Sequence, residues 1–336
     1  MTTPGGFATV GYNTGRTALW FSRFAFRAAR TSFSVMPNDI PFARELDFEY
    51  GVIQEVAPMI RRVVARNPSA FTLHGTGTYV IGKGNVAVVD PGPMIGEHVE
   101  ALLDALRGET VTHILVTHTH IDHSPACAPV KAAVSAKTYG YGPHGSGKYE
   151  RGEQVEEGGD MDFVPDVAIR HGDVIEGDGW SVEAVHTPGH TSNHICFALR
   201  EENVLFSGDH VMGWSTSIIS PPDGDMADYM ASLRLLMERE EDVRYWPTHG
   251  PAIERPQSFV RGFIGHRRMR EQQITKHLGE GVETISAMVP LMYRDIDARL
   301  YGAAARSVFA HMIHMVETGR VAHEGELAVD ARYRLT

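Results

Sequence analysis

The stretch Thr117-His118-Thr119-His120-Ile121-Asp122-His123-Ser124 constrains this chain more than any other. Three imidazoles and one carboxylate crowd into the pattern H-x-H-x-D-H, directly after the β-branched, apolar run Val111 to Val116. That run reads as a buried strand, so the motif sits where a strand ends and the chain turns. Neutral imidazole nitrogens and carboxylate oxygens form the ligand set of Zn²⁺, Fe or Mn, and their alternation lets two sets of ligands face two different ions. A polar loop with clustered histidines by chance is the plain alternative, and it requires the four residue types to coincide at fixed spacing.

The same residue types recur at the ends of later strand-like runs. Trp180 to Val185 leads into His186-Thr187-Pro188-Gly189-His190, Val204 to Ser207 into Gly208-Asp209-His210, and Val243 to Trp246 into Pro247-Thr248-His249-Gly250. A layered α/β domain gathers sequence-distant groups at its strand ends in this way. Helical periodicity covers Ile95 to Leu106 and Asp225 to Glu238, Pro125 to Val134 can begin a helix, and Gly82-Lys83-Gly84-Asn85 signals a hairpin. Phe48 to Val56 and Met59 to Ala65 read as strands, and residues 142–178, rich in glycine and acid, as an excursion over the surface. After Pro256 the pattern turns helical, at Phe259 to Leu278, from Thr284, and over Asp297 to Thr318. A small hairpin from residues 319–323 and 333–335 would complete a winged-helix module. The expected domains are a basic N-terminal extension (1–38), a catalytic domain (39–255) and a winged-helix-like domain (256–336).

Charge is uneven. The net charge is −11, yet residues 1–38 hold four arginines and no acid, and residues 256–336 carry a small positive excess, so the central body is strongly acidic. Such a body repels polyanions, which weighs against a nuclease and against nucleic acid as a partner. Arg16, Arg23, Arg27 and Arg30 share one face of a hypothetical helix. Membrane-surface contact or targeting is one reading, and an arm clamped onto the acidic body is the plainer one. Two cysteines, Cys127 and Cys196, cannot build a disulfide framework, and no apolar run reaches the length of a spanning helix. A reducing, cytoplasmic setting is expected.

The ordered set His118, His120, Asp122, His123, then Thr-Pro-Gly-His at 187–190, Gly208-Asp209 and Thr-His-Gly at 248–250 resembles the metallo-β-lactamase superfamily. The likeness covers about residues 48–255. Within the superfamily the chain looks most like the β-lactamase-like protein 2 group, in which Asn-Pro-Ser-x-Phe-Thr (67–72), the Asp225–Leu236 helix and a C-terminal winged-helix domain recur. The resemblance implies an α/β fold, the αββα sandwich, with a dinuclear site. By that carry-over His118, His120 and His190 hold one metal, Asp122, His123 and His249 hold the other, and Asp209 bridges. Asp122 and Asp209 are then the catalytic carboxylates, two divalent ions are the cofactors (Zn, with Fe or Mn as alternatives), and the bridged pair sits about 3.5–4 Å apart. His194 and Asp90 are candidates for orienting ligands or touching substrate, with core packing and a turn cap as the respective alternatives. His210 should point away if Asp209 points in, and His186 should pack.

The implied activity is hydrolysis, in which a metal-bridging hydroxide attacks a small or carrier-bound thioester, ester or lactone. A phosphodiesterase or single-strand endoribonuclease using the same site is the alternative, and a non-catalytic nucleic-acid-binding module a lesser one. Asp209 and His249 together argue against a true zinc β-lactamase. The step of 40 residues from Asp209 to His249 leaves no room for the inserted domain of the nucleic-acid-processing members. A mononuclear iron enzyme that oxidises persulfides is a further alternative. The C-terminal domain is expected to wall the cleft or to build a homodimer interface.

Overall fold

A computed structural model describes residues 40–147, 158–294 and 296–336. The basic extension read at 1–38 lies outside the described residues, as does part of the 142–178 excursion.

The first sheet has seven strands in sequence order: β1 (Gln54–Ala57), β2 (Ile60–Val64), β3 (Gly77–Ile81), β4 (Asn85–Val89), β5 (Thr110–Leu115), β6 (Lys137–Gly140) and β7 (Val167–Ala168). Pairing is antiparallel from β1 to β4 and parallel from β4 to β7. The second sheet runs β12-β11-β10-β9-β8, from β8 (Val174–Glu176), β9 (Ser181–His186), β10 (Ile195–Leu199), β11 (Val204–Gly208) and β12 (Arg244–Pro247).

Alternation along β4 shows how the layers assemble. Ala87 and Val89 face the second sheet and pack with Tyr79, Leu115, Phe197, Phe206 and Trp246. Val86 and Val88 face outward, onto Val99, Leu102 and Leu106 of the α1 region (α1, Gly96–Ala105) and Val130 of α2 (Cys127–Val134). A strand covered on both faces must be apolar throughout, as Val86-Ala87-Val88-Val89 is. The second sheet is covered in turn by α3 (Met226–Glu238) and the first half of α4 (Pro256–Gly279), through Tyr229, Leu233, Phe259, Val260 and Phe263. The result is the expected αββα sandwich.

The far half of α4 enters a separate core. Ile274 and Leu278 pack with α5 (Ile285–Met292), α6 (Tyr301–Glu317) and the wing strands β13 (Val321–Glu324) and β14 (Arg332–Leu335). One helix therefore serves both cores. Phe48 to Tyr50 do not extend β1, which begins only at Gln54. The described part of 142–178 is also more than a surface excursion. It supplies β7 and β8, an edge strand for each sheet, with Phe163, Ile169 and Ile175 buried. Three apolar anchors spaced among acids were too sparse to show as periodicity.

Candidate metal centre

Every expected ligand stands just beyond the C-terminal end of a strand. The H-x-H-x-D-H loop follows β5, His190 follows β9, Asp209 follows β11 and His249 follows β12. Asp90 follows β4, at a positive φ of 48° that aims its carboxylate into the loop after β5. Two glycines permit the convergence. Gly208 takes φ +51°, and a Cβ there would lie 2.5 Å from His194 Nε2. Gly189 takes φ +128°, and a Cβ there would strike the backbone of Tyr229 in α3. The close approach demands glycine at Gly208, and at Gly189 the approach and the φ both do.

Among the described residues three overlapping groups of ligand atoms result, and one of them, His118, His123 and Asp209, spans the two triads that share no member. His118, His120 and His190 offer one set, and Asp122, His123 and His249 the other. In the first, His120 Nδ1 lies 3.0 Å from His118 Nε2 and 3.1 Å from His190 Nε2. In the second, His249 Nε2 lies 3.1 Å from Asp122 Oδ2, and His123 Nε2 lies 3.6 Å from it. Asp209 stands between them. Its Oδ1 is 3.7 Å from His123 Nε2, and its Oδ2 is 3.4 Å from His249 Nε2 and 3.9 Å from His190 Nε2. The sequence-predicted ligands are thus brought together, all seven of them.

Whether the residues fit a pair of cations can be tested on their outward-facing atoms. Four of the imidazoles anchor Nδ1 on an acceptor: His118 on Thr117 Oγ1 (3.1 Å), His123 on Asp90 Oδ2 (2.9 Å), His190 on the Ile218 carbonyl (2.6 Å) and His249 on the Gly75 carbonyl (3.0 Å). A proton held at Nδ1 leaves the Nε2 lone pair facing inward, as a metal ligand needs. Within the site, His123 Nε2 and Asp209 Oδ1 are buried and lack hydrogen-bond partners. Orphaned buried groups of that kind are costly unless something satisfies them, and a divalent cation would satisfy both. The donor set therefore fits the metals that the sequence implies.

Electrostatics agree. Burial lowers the His118 pKa, and neighbouring His123, His120 and His190 add to the effect, so it stays neutral and able to ligate. Burial alone would raise Asp122 and Asp209, but the facing imidazoles of His123 and His249 outweigh it and hold both carboxyls below their usual range. Conversely, burial lowers His249, yet Asp209 and Asp122 win and push it up to about 10. His123 is raised well above its ordinary value by Asp122, Asp209 and Asp90 against the same burial. The raised imidazoles of His123 and His249 would give up protons to a cation bound there, which is the usual exchange at a metal site.

The supporting residues separate cleanly. His194 is fully buried. Its Nε2 accepts the Asp209 backbone N–H (3.2 Å) and its Nδ1 pairs with Thr187 Oγ1 (2.9 Å). It holds the backbone of the carboxylate between the triads and lies outside the ligand groups. His210 points away, into the core against Tyr229, and His186 stacks on Tyr141 at 3.9 Å. Burial pushes the Cys127 thiol up, and Ser124 Oγ donates to Asp160 (2.5 Å), so neither is a nucleophile.

Sequence reasoning missed the network behind His120. Asn193 donates to Thr119 Oγ1 (2.8 Å), which also pairs with buried His144 Nδ1 (2.9 Å). It missed as well that residues 158–160 pair with the motif backbone, through Ile121 N–H to the Gly158 carbonyl (2.9 Å) and Asp160 N–H to the Thr119 carbonyl (2.7 Å). Asn193, set between His190 and His194, was the one available signal.

A cleft of about 620 Å³ opens over the site. His120, Asp122, His190, Asp209 and His249 form its floor. Phe71, Ile121, Met212 and Ile218 give apolar walls, and Arg299, Leu300, Ala303 and Arg306 close it from the C-terminal region. The expectation that this region walls the cleft is met.

Fold and site together define a metallo-hydrolase of the lactamase type. Residues 72–249 match the Metallo-beta-lactamase superfamily domain and residues 284–331 the Beta-lactamase associated winged helix domain. The chain belongs to the metallo-β-lactamase superfamily and is a hydrolase of that fold. It is 31% identical over 287 residues to the Drosophila melanogaster "Beta-lactamase-like protein 2 homolog", covering 80% of this chain and 91% of that one. It is 28% identical over 296 residues to an "Atrochrysone carboxyl ACP thioesterase" of Aspergillus terreus, covering 83% of this chain and 84% of that one. Among solved structures, a beta-lactamase domain protein from Burkholderia ambifaria superposes with a TM-score of 0.72 at 20% identity, over 90% of this chain and 99% of that one. Among the described residues, no helix is long and apolar enough to cross a membrane.

Proposed function

We propose that the chain is a dinuclear metal-dependent hydrolase of acyl thioesters, small or carrier-bound. His118, His120 and His190 would hold one divalent cation, Zn in the first instance, Asp122, His123 and His249 a second, and Asp209 would bridge them. The cations would supply hydroxide at neutral pH and a positive field for the oxyanion that develops on the acyl carbonyl. The chain's own part is to hold the imidazoles in one tautomer, to keep Asp122 and Asp209 ionised, and to seat the acyl compound against the apolar walls.

The observation that carries the thioester is what the cleft lacks. Among the described residues that line it, every group able to give up a proton near neutrality is a candidate ligand. An arginine side chain does not serve as an acid near neutrality. On the described lining, a leaving group departs without an acid from outside the ligand set to protonate it. A thiolate does so readily, since thiols ionise near pH 8.5, whereas an alkoxide or amide nitrogen does not. Water is added across the acyl–sulfur bond, giving a carboxylic acid and a thiol. Aryl esters and lactones with acidic leaving groups are secondary substrates on the same ground. The thioesterase name of the Aspergillus terreus relative points the same way.

A substrate panel with the metal-loaded protein tests this. It sets octanoyl-pantetheine and octanoyl-coenzyme A against an alkyl ester, a lactone, bis(p-nitrophenyl) phosphate and single-stranded RNA. The thioesters should show the highest kcat/KM. Faster cleavage of the phosphodiester or the RNA would overturn the reading in favour of phosphoryl chemistry.

A further inference from the structure

Two arginines on the cleft wall have no part in the chemistry described so far. Arg299 lies in the turn Ala298–Leu300 and Arg306 two turns further on, in α6. Both line the cleft that has the ligand side chains as its floor. Arg299 is gripped by Asp297, through Nη2 to Oδ2 (2.6 Å) and Nε to both oxygens (3.1 Å). Arg306 is exposed, and among the described residues no carboxylate pairs with it. Apart from the candidate ligands, these two cations are the fixed charges among the described residues that line the cleft. They stand out in a chain whose central body is acidic. The same cleft is lined by the apolar side chains of Leu300, Ala303, Met212 and Ile218.

We propose that Arg306, with Arg299 beside it, binds a phosphate on the thiol side of the substrate, so that the enzyme selects thioesters of phosphorylated pantetheine. This rests on the thioester reading for the bond cleaved. The thiol arm of acyl carrier proteins and of coenzyme A is pantetheine ending in a phosphate, an uncharged chain with an anion at its far end. The cleft offers both kinds of surface, apolar at Leu300, Ala303, Met212 and Ile218 and cationic at Arg299 and Arg306. A guanidinium fork suits phosphate oxygens better than an ammonium does, since it offers parallel N–H donors. The phosphate can belong to a carrier protein's phosphodiester or to coenzyme A, and both present the same chemistry to Arg306.

The test compares octanoyl-pantetheine, octanoyl-4′-phosphopantetheine, octanoyl-coenzyme A and an octanoyl carrier protein with the full-length, metal-loaded protein and its Arg306→Ala, Arg306→Lys and Arg299→Ala variants. Arg306→Ala should lower kcat/KM for the phosphorylated substrates about tenfold more than for octanoyl-pantetheine, mainly through KM. Arg306→Lys should recover part of the loss. Equal effects on neutral and phosphorylated substrates would overturn the assignment. Sensitivity confined to coenzyme A would also overturn it, by moving the contact to the nucleotide phosphates. Failure of the wild-type protein to cleave any thioester would sink the thioester reading alone. Calorimetric binding of 4′-phosphopantetheine against pantetheine then decides the arginine site. A preference for the phosphate that Arg306→Ala abolishes supports it, and no preference contradicts it.

Discussion

Asp90 Oδ2 lies 2.9 Å from Nδ1 of His123, and the same carboxylate takes three further hydrogen bonds. They come from Thr117 N–H and Oγ1–H (2.7 Å each) and from Thr248 Oγ1–H (3.2 Å). Thr117 precedes His118 and Thr248 precedes His249. One buried side chain thereby ties together the loops after β5 and β12, which carry members of both triads.

Asp90→Asn keeps the volume but replaces one acceptor oxygen with a donor that faces groups already donating. Metal affinity should fall about 10–100-fold, as it does when the groups that orient metal ligands are altered elsewhere. Metal content after dialysis, and the metal concentration that restores half of full turnover, measure the loss. Unchanged affinity would show that His123 keeps its orientation without Asp90.

Arg267 gives a second test, from the other side of the site. It is buried in α4, stacks on Tyr229 at 5.0 Å and donates to the Ser217 carbonyl. Ser217 Oγ in turn donates to the backbone carbonyls of Asp209 (2.6 Å) and His210 (2.8 Å), while the adjacent Ile218 carbonyl anchors His190. Arg267→Met should lower kcat on the order of tenfold with a smaller change in KM, because it loosens two ligands and not the cleft wall. Arg267→Lys should restore part of it. An equal loss in kcat from an apolar substitution elsewhere in α4, at matched stability, would contradict a positioning role.

The C-terminal region should be sensitive to acid. His311 in α6 is fully buried, and its Nδ1 is 3.5 Å from Glu271 Oε1, too far for a strong bond. Burial, helped by Arg267 and His314 and opposed by Glu271, lowers its pKa to about 4. His266 moves the same way, to about 3, through burial, Arg267, Arg270 and His311. An unfolded histidine titrates near 6.5, so as pH falls the unfolded chain takes up these protons first. The stability is complete above about pH 6.5 and drains as pH falls toward 4. For His311 alone this is about 2 kcal/mol by pH 5. Thermal unfolding from pH 7.5 to 5 should therefore be less pH-dependent in His311→Leu than in the wild type. Parallel profiles would contradict the assignment.

These relationships also show what the sequence could and could not reveal. The ligands were legible because each is a metal-binding residue type placed at the end of an apolar run, while their division between two ions came from the family resemblance. Apolar strand-like runs made a layered α/β domain legible, and the resemblance supplied the sandwich, which the burial of β4 and β10 on both faces bears out. Asp90 and His194 had to be left open, since a carboxylate that caps a turn and one that orients an imidazole look alike until strands β4 and β5 are paired. The cleft wall was unreadable in detail. Placing Arg299 and Arg306 over the site depends on how α6 docks against α3, which is fixed by scattered packing residues and not by any motif. The edge strands β7 and β8 were missed because two- and three-residue strands carry too little periodicity to detect.

The central claim is that two triads and Asp209 hold a pair of cations on which hydrolysis depends. Elemental analysis of the purified protein, paired with thioester turnover before and after exhaustive chelation, tests it most directly. The account predicts about two divalent ions per chain, loss of turnover as they are stripped, and recovery when they are returned. Full turnover by protein that has been stripped of metal would contradict it.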